Sequence, residues 1–407
     1  MERLINKEKL GVFEETAQLK KVIMWGKPGP ETIIAQILPK EISCFLEKFS
    51  VVGARKEFES VLTMIENEEV QVIQVKDLYA KMIDDLRTEP RHSINTLKEA
   101  LIQKAMTFSK QYPSGYTGEL ELISDMIDED CKKYGERAVI VMNERLSLDN
   151  KLPLANVLYA RDQSNVAGET WIWSSMKYEI RQPEVSLYKE VLTHSGVVTP
   201  SNFKNIVSVN DNGKFEGGDG IANGGFYYVG IGGRTDWEGV KQIAESVLSQ
   251  GLRLVVFRDK ERASGRESEM EAMHLDTIWM PSDVNKIVSC QSQTQRRIAF
   301  EIGLNKNNKL IIKKSKSMDE HMHETGMQII PLSPEEQEAF APNFLNLGNN
   351  KVILSLVDSN SIDKQNGEKT IEEKLILEGK DVQNANLYNI TRGYGGLHCM
   401  TAAIKRG

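Results

Sequence analysis

A cysteine near the C-terminus is the residue of this 407-residue chain best suited to nucleophilic chemistry. Cys399 follows a glycine-rich run from Gly393 to Gly396. Glycine lets the backbone turn sharply and approach a ligand closely, and a thiol displayed on such a turn is a candidate nucleophile. Taken alone, the stretch is more typical of a tight turn that holds a buried, inert cysteine. The interpretation therefore depends on whether other residues supply partners for the thiol.

A histidine and a carboxylate two positions apart are the second candidates. The segment from Met273 to Thr277 predicts a strand, in which alternate side chains share a face, so His274 and Asp276 are expected to point the same way. Such a pair suits acid–base catalysis. An exposed strand face has the same pattern, and the segment by itself favours that interpretation.

Further carboxylates and arginines follow strand-like segments. Glu216 and Asp219 flank a Gly-Gly pair, which predicts either a close approach to a ligand or a β-bulge. Asp162 ends an apolar strand, where a carboxylate faces a cavity or simply starts a turn. Arg181 and Arg234 are of the type that binds carboxylates bidentately, although most arginines are solvated.

Composition excludes several classes of protein. The net charge of −7 argues against a general nucleic-acid binder, which is usually basic. No apolar run approaches the roughly 20 residues that a membrane helix needs. Four cysteines at 44, 131, 290 and 399 are too sparse to staple the chain and predict free thiols in a reducing, cytoplasmic compartment.

The cluster His321-Met322-His323-Glu324 lacks the further ligands of a metal site, and Gly230 to Gly233 lacks the glycine spacing of a dinucleotide fingerprint.

The elements that must position these residues alternate between strands and helices. A strand at 19–25, a helix at 54–67 and a strand at 69–75 form the first α/β unit, and residues 78 to about 135 change to a series of helices. The α/β pattern then resumes. We expect strands at 137–142, 156–161, 169–173, 205–209, 226–230, 252–257, 309–313 and 351–356, and helices at 237–250, after Pro334 and at 370–377.

Read together, the candidate segments resemble the guanidino-group modifying enzymes, and most closely the bacterial arginine deiminases. The order and rough spacing of these segments match that family across nearly the whole chain. The residues that carry the resemblance are Asn156, Arg161-Asp162, Arg181-Gln182, Phe215 to Asp219, Arg234-Thr235, Met273 to Thr277 and Gly395 to Thr401.

The resemblance implies a fold and a domain organisation. The fold is an α/β propeller, or pentein, in which five ββαβ-like units surround a central active site. Residues 1–77 would form the first propeller unit, residues 78–148 a helical insertion found in arginine deiminases, and residues 149–407 the remaining units with the cysteine near the C-terminus.

The resemblance also implies the roles of individual residues. Cys399 is expected to attack the guanidinium carbon, Asp162 and Asp276 to hold the guanidinium, and His274 with Glu216 to transfer protons and activate water. The expected substrate-binding residues are Asn156, Tyr159, Arg181, Arg234, Arg392 and Gly395. Neither a metal nor an organic cofactor is expected. The expected partner is a small guanidino substrate such as L-arginine, and we expect a cytoplasmic homo-oligomer.

The sequence departs from the family pattern beside the cysteine. Tyr394 stands where many bacterial arginine deiminases have an arginine that binds the substrate carboxylate, and Leu397 stands where glycine is frequent. Alternatives therefore stay open. These are the hydrolysis of another guanidino compound, the transfer of the amidino group to an amine and, least favoured, a pentein-fold binding protein without catalysis. Glu216 favours water over an amine as the acceptor.

Overall fold

The fold is described from a computed structural model that covers residues 8–113, 119–260, 273–307, 309–356 and 369–407. Its strands are β1 (Leu19–Met24), β2 (Gln71–Gln74), β3 (Ser164–Ala167), β4 (Thr170–Trp173), β5 (Asn205–Ser208), β6 (Gly220–Asn223), β7 (Phe226–Ile231), β8 (Arg253–Asp259), β9 (Trp279–Asp283), β10 (Lys286–Cys290), β11 (Arg297–Leu304), β12 (Leu310–Ser317), β13 (Gln328–Leu332), β14 (Leu345–Gly348), β15 (Lys351–Leu356), β16 (Asp381–Asn386) and β17 (Ala402–Arg406).

Short helices connect these strands, with a longer helical stretch between β2 and β3. The α-helices are α1 (Pro30–Ala35), α2 (Lys40–Ser43), α3 (Val51–Asn67), α4 (Val75–Asp85), α5 (Ile94–Gln111), α6 (Leu122–Tyr134), α7 (Glu136–Asn143), α8 (Ala160–Gln163), α9 (Gln182–His194), α10 (Trp237–Leu248), α11 (Gln291–Gln295), α12 (Met318–Glu324), α13 (Pro334–Glu338), α14 (Ile371–Leu377), α15 (Tyr388–Arg392) and α16 (Leu397–Met400). A π-helix spans Glu144–Leu148, and 3-10 helices span Ala155–Leu158, Glu179–Arg181, Gly217–Asp219 and Leu275–Thr277.

The strands form five sheets that share one pairing plan. In each sheet a central strand pairs antiparallel with one neighbour and parallel with the other. The sheets run β17-β1-β2, β3-β4-β5, β6-β7-β8, β9-β10-β13 and β14-β15-β16, and β11 and β12 extend the third sheet beyond β8. A parallel pair needs a crossover connection, and in each sheet that connection contains a helix. The fold is therefore mixed α/β, as predicted.

Polar side chains join neighbouring sheets. Each donates a hydrogen bond to a backbone carbonyl of the neighbouring sheet or of its connecting turn. Asn165 donates to the Gly220 carbonyl, Asn223 to Val284, Asn346 to Ser282 and Arg406 to Asn346, over distances of 2.8–3.2 Å. Val12, just before β1, exchanges backbone hydrogen bonds with Gly168, just after β3.

Two predicted strands are helices in the structure. Residues 137–142 lie in α7, because their apolar side chains are buried against α4, α5 and α6; a short apolar run does not distinguish a buried helix from a buried strand. Residues 156–161 form a 3-10 turn that continues into α8, where the whole segment is buried. Apart from the segment from Met273 to Thr277, the other strands and helices that we expected are present, with end points that differ by a few residues.

The long helices of the region between β2 and β3 pack on one another. α5 begins with a capping box in which Ser93 and Thr96 satisfy each other's backbone amides. Arg55 and Lys76 both pair with the buried carboxylate of Asp130, which ties this region to α3. Among the described residues, no helix combines the length and the apolar character needed to cross a bilayer.

Candidate active site

Five side chains that the sequence predicted for catalysis meet at one buried point. His274 Nε2 lies 2.9 Å from Glu216 Oε2, and its Nδ1 lies 3.5 Å from Asp162 Oδ1. Cys399 Sγ lies 3.6 Å from Asp276 Oδ2. All five residues are buried. The elements that carry them are far apart in the sequence, so the fold alone brings them together.

Each side chain is presented by a short irregular element rather than by a regular strand. Asp162 lies in α8, Glu216 and Asp276 lie at 3-10 turns, and Cys399 lies in the single-turn helix α16. The predicted strand at His274 and Asp276 is wrong, because the chain turns into a 3-10 helix directly after His274. The two side chains therefore contact different partners, Glu216 and His398 respectively, instead of sharing one strand face.

Glycines allow this close packing. A Cβ atom on Gly218 would lie 2.7 Å from His274 Nδ1, and one on Gly395 would lie 2.5 Å from the ring of Tyr159. Both distances are shorter than a van der Waals contact, so only glycine fits without displacing those side chains.

Neighbouring carboxylates control the charge of His274. Burial by itself lowers the pKa of the imidazole, but Asp162, Glu216 and Asp219 together raise it to about 9. Burial raises the pKa of Glu216, and the charges of Arg234, His274 and Arg181 more than reverse that effect. His274 and Glu216 therefore form an imidazolium–carboxylate pair at neutral pH.

The cysteine is held as a thiol in the same environment. Burial, together with the negative charges of Asp276 and Asp162, raises the pKa of Cys399 well above its usual value. Asn343 holds the segment in place, since its side chain accepts from the Cys399 amide at 3.0 Å and donates to the Asp276 carbonyl at 3.2 Å. A cation placed between the two carboxylates would remove the main charge that opposes thiolate formation.

Several polar atoms at this point lack hydrogen bonds within the described residues, although Asp162 Oδ1 and His274 Nδ1 form an ion-pair contact at 3.5 Å. Asp162 Oδ1, Asp276 Oδ1 and His274 Nδ1 are buried and make no hydrogen bond there. Burying a carboxylate oxygen without a partner is costly. Acceptors without a hydrogen bond on two carboxylates beside a thiol fit a planar cation with several N–H donors, which is the chemistry of a guanidinium group.

The two predicted carboxylate-binding arginines occupy different places. Arg234 lines a cavity of about 160 Å³, where it stacks 4.6 Å from the ring of Tyr178 and lies 3.3 Å from Glu216. Arg181 is not among the residues that line this cavity. Its guanidinium pairs with Asp162 at 2.9 Å and with Glu184 at 3.1 Å.

Three other predicted binding residues lie close to the site, and one does not. Tyr159 is buried against Gly395 and donates to the Ile390 carbonyl at 2.8 Å. Asn156 is buried and donates to the Ser43 carbonyl at 2.8 Å. Arg392 instead lies near the surface.

Arg392 stacks on Tyr388 and pairs with Glu47 at 3.1 Å. It is not among the residues lining the cavity beside Arg234. Tyr394, where the sequence departs from the arginine deiminase pattern, does line this cavity.

One group of described side chains has the geometry of a metal site. Asp162, Glu216 and His274 each offer a ligand atom within 4.8 Å of the others. The Arg181 guanidinium lies 2.9 Å from Asp162 and 3.7 Å from Glu216, so two of these three ligands already face a fixed cation. The set fits proton transfer better than metal binding.

Sequence reasoning missed two residues of the site. His398 directly precedes Cys399, and the short helix α16 places its Nδ1 2.7 Å from Asp276 Oδ2. Asn343 gave no signal beyond its type.

Comparison with known proteins places the chain in a family. The arginine deiminase family model matches residues 44–406. An arginine deiminase from Listeria innocua is 21% identical over 414 residues, an alignment that covers 98% of this chain and 98% of the relative. An arginine deiminase from Rhodococcus erythropolis is 25% identical over 309 residues and covers 72% of both chains.

Solved structures of the pentein superfamily share the fold. The N-terminal domain of ArgZ, solved covalently bound to a reaction intermediate, matches with a TM-score of 0.56 at 14% identity over 95% of this chain and 98% of that one. DDAH from Pseudomonas aeruginosa, solved with citrulline, matches with a TM-score of 0.53 at 14% identity over 95% and 99%. AgrE matches with a TM-score of 0.55 at 12% identity over 95% of this chain, which spans 40% of the AgrE chain. The chain belongs to the arginine deiminase family and is a hydrolase of carbon–nitrogen bonds in guanidino groups.

Proposed function

We propose that this protein is an arginine deiminase, which hydrolyses L-arginine to L-citrulline and ammonia through a covalent intermediate on Cys399. The observation that carries the proposal is the pair of carboxylate oxygens that make no hydrogen bond within the described residues, Asp162 Oδ1 and Asp276 Oδ1, beside the thiol. Two such acceptors hold a guanidinium in one plane and fix its carbon for attack. Binding of this cation also lowers the pKa of Cys399, because it offsets the carboxylates that raise it.

The first half-reaction forms a carbon–sulfur bond. The Cys399 thiol loses its proton to solvent as the cation binds, and the resulting thiolate attacks the guanidinium carbon. The bond from that carbon to a terminal nitrogen then breaks. His274, protonated at neutral pH, gives its proton to the leaving nitrogen, which departs as ammonia. The product is an amidino-thioether, and His274 is left neutral.

The second half-reaction uses water. His274, held by Glu216 at 2.9 Å, takes a proton from a water molecule, and the resulting hydroxide attacks the amidino carbon. The carbon–sulfur bond breaks, the added oxygen gives its proton to the departing sulfur and becomes the ureido carbonyl, and the Cys399 thiol is regenerated. Glu216 supports water as the acceptor because it keeps His274 oriented for this step.

The substrate carboxylate has a candidate ligand on the cavity wall. Arg234 lines the cavity and is braced by the ring of Tyr178, which suits it to the α-carboxylate of arginine. We keep Arg181 as a second candidate, although it would have to leave Asp162 to reach a ligand in the cavity. Asn156, Tyr159, Arg392 and Gly395 stay predicted binding residues.

We also propose that the five sheets form a five-bladed α/β propeller around the site. The common pairing plan and the hydrogen bonds from each sheet to the next support this arrangement. In this proposal residues 1–77 form the first unit, whose sheet is completed by β17, residues 78–148 form an insertion and residues 149–407 contain the remaining units. We place the protein in the cytoplasm as a homo-oligomer, and light scattering in solution tests the oligomeric state.

A product assay tests the proposed activity. The purified protein is incubated with L-arginine, and citrulline, ammonia, ornithine and urea are measured. Citrulline and ammonia in equal amounts are expected, with no product from a Cys399→Ala control. Ornithine that forms only when an amine is added would instead identify an amidinotransferase. Turnover of agmatine or a methylated arginine but not of arginine would leave a hydrolase with another guanidino substrate.

A further inference from the structure

His398 lies directly behind Asp276 in a buried chain of charged groups. Its Nδ1 lies 2.7 Å from Asp276 Oδ2, and its Nε2 lies 3.5 Å from Glu15 Oε1. Glu15 in turn pairs with Arg406. All of these side chains are buried.

We propose that His398, braced by Glu15, is a positioning residue that fixes the orientation of Asp276 for the guanidinium cation. The inference rests on the proposed function, because it concerns how one of the two guanidinium-binding carboxylates is held. It assigns roles in that function to His398, which is next to the nucleophile, and to Glu15, whose carboxylate lies in the N-terminal segment before β1. That segment lies outside residues 44–406, to which the family model extends.

The two oxygens of Asp276 have different surroundings. Oδ2 accepts the hydrogen bond from His398 and faces the Cys399 sulfur at 3.6 Å. Oδ1 has no hydrogen-bond partner among the described residues. A carboxylate held through one oxygen cannot rotate freely, so the bond from His398 keeps Oδ1 available to the substrate.

The surrounding charges keep this carboxylate ionised. Burial raises the pKa of Asp276, but the hydrogen bond and charge of His398, followed by the charges of His274 and Arg161, bring it below the usual value. Only the ionised form binds a cation strongly.

Glu15 is itself fixed from the other side. Burial raises its pKa, and Arg406, His398 and Arg161 more than reverse that effect. Arg406 also donates to the Asn346 carbonyl at 2.8 Å, which anchors the guanidinium between β17 and β14. His398 Nε2 makes no hydrogen bond within the described residues, so Glu15 acts on it as a fixed charge at 3.5 Å, which favours the ring orientation that keeps Nδ1 directed at Asp276.

Two substitutions separate positioning from simple structural support. The amide nitrogen of His398→Asn can take the place of Nδ1 and still donate to Asp276. The longer side chain of His398→Gln places its amide near Nε2, so it contacts Glu15 and leaves Asp276 without this donor. Both variants remove the ring and are matched in polarity.

The experiment measures Cys399 alkylation by two reagents that differ in charge. 2-Chloroacetamidine is a cation that resembles a guanidinium, and 2-chloroacetamide is its neutral counterpart. Mass spectrometry follows the rate of each at Cys399 in the full chain, and the ratio of the two rates reports cation recognition by the carboxylates. A wild-type protein without a preference for the cation would contradict the proposed function itself, whatever the variants do.

If the wild-type protein reacts faster with the cation, we expect His398→Gln to lower the ratio of the two alkylation rates by at least about tenfold. We expect His398→Asn to keep that ratio within about threefold of wild type. An unchanged ratio in His398→Gln, or equal losses in the two variants at equal melting temperatures, would overturn the inference. If either His398 variant fails to fold, Glu15→Gln provides the test, because it leaves the imidazole of His398 in place. A ratio lowered by at least about threefold supports the role of the Glu15–His398 pair, and an unchanged ratio refutes it.

Discussion

Arg181 Nη1 lies 2.9 Å from Asp162 Oδ2 in the buried interior, so one oxygen of this carboxylate is already occupied by a cation of the protein. Glu184, whose pKa burial raises to about 7, contacts the Nε atom of the same guanidinium at 3.1 Å. Asp162 therefore has one oxygen, Oδ1, that makes no hydrogen bond within the described residues, as Asp276 also has. In each carboxylate one oxygen is held by a protein side chain, which is Arg181 for Asp162 and His398 for Asp276.

Because Arg181 is paired with Asp162, we expect substitutions of Arg181 and of Arg234 to change kcat/KM for arginine and agmatine in different ways. Arg181→Lys should lower kcat/KM for arginine and for agmatine, which lacks the carboxylate, by the same factor of about ten or more, because a lysine cannot hold both carboxylates. Arg234→Gln should lower kcat/KM for arginine about tenfold more than for agmatine. Steady-state kinetics of both variants on both substrates give the two ratios. A loss in Arg181→Lys that is confined to arginine would instead assign the substrate carboxylate to Arg181.

Asp276→Asn should make Cys399 more reactive towards a neutral reagent while it abolishes turnover. After burial, Asp276 is the strongest influence that raises the pKa of the thiol, so its neutral amide leaves more thiolate at a given pH. The alkylation rate with iodoacetamide, measured between pH 7 and 10, should shift towards lower pH. Asp381→Asn, on the exposed strand β16, is the control and should match wild type. A slower reaction in Asp276→Asn at every pH would contradict this account of the thiol.

The raised pKa of His274 predicts how stability depends on pH. The group has a pKa near 6.5 when unfolded and about 9 in the folded protein, so the folded state binds its proton more tightly. Its contribution to the free energy of unfolding is complete below about pH 6.5 and is lost as the pH rises through 9. The difference in melting temperature between wild type and His274→Asn should therefore shrink over this range. A difference that stays constant or grows would show that the imidazole is neutral in the folded protein.

Gly395→Ala should reduce activity without a matching loss of stability. Its Cβ would lie 2.5 Å from the Tyr159 ring and 3.1 Å from Cys399 Cβ, and Tyr159 is held by its hydrogen bond to Ile390. The nucleophile must then move, and a displacement of this kind costs about a hundredfold in kcat.

Gly251→Ala is the matched control for this glycine. Gly251 has a φ of +80° at the end of α10 and nothing within 4 Å of a Cβ. It should lose about 1 kcal/mol of stability through backbone strain and keep full activity. Similar activity in the two variants would mean that Gly395 has no part in placing the thiol.

Tyr394 predicts a way to change substrate preference. This residue lines the cavity with Arg234 and has a φ of +79°, a strained value for a tyrosine. Tyr394→Arg keeps a β-carbon at the same strained position and adds a cation beside the expected carboxylate site. The ratio of kcat/KM for arginine to that for agmatine should rise about tenfold, whereas Tyr394→Phe should leave it unchanged. An equal rise in Tyr394→Phe would exclude charge as the cause.

The sequence predicted more of the chemistry than of the local backbone. The resemblance to arginine deiminases, drawn from short segments in order, is confirmed by the family model. The strands and helices with clear periodicity, such as β7, α10 and β8, are present. The errors fall at 137–142, 156–161 and 273–277, where short apolar or mixed segments form helices or 3-10 turns. Local propensity decides little there, because the surrounding packing determines the conformation.

The sequence by itself determined which residue types are available for chemistry, because a nucleophile, an acid–base group and carboxylates are recognisable from their side chains and order. Only the tertiary structure decided which atom of each group faces which neighbour. Asp162 and Asp276 look alike in the sequence, yet one is held by Arg181 and the other by His398. Asp162 and Arg181 are 19 positions apart and Asp276 and His398 are 122 positions apart, and these contacts decide which carboxylate oxygen makes no hydrogen bond within the described residues. Such electrostatic contacts depend on distance and burial, which local sequence does not specify.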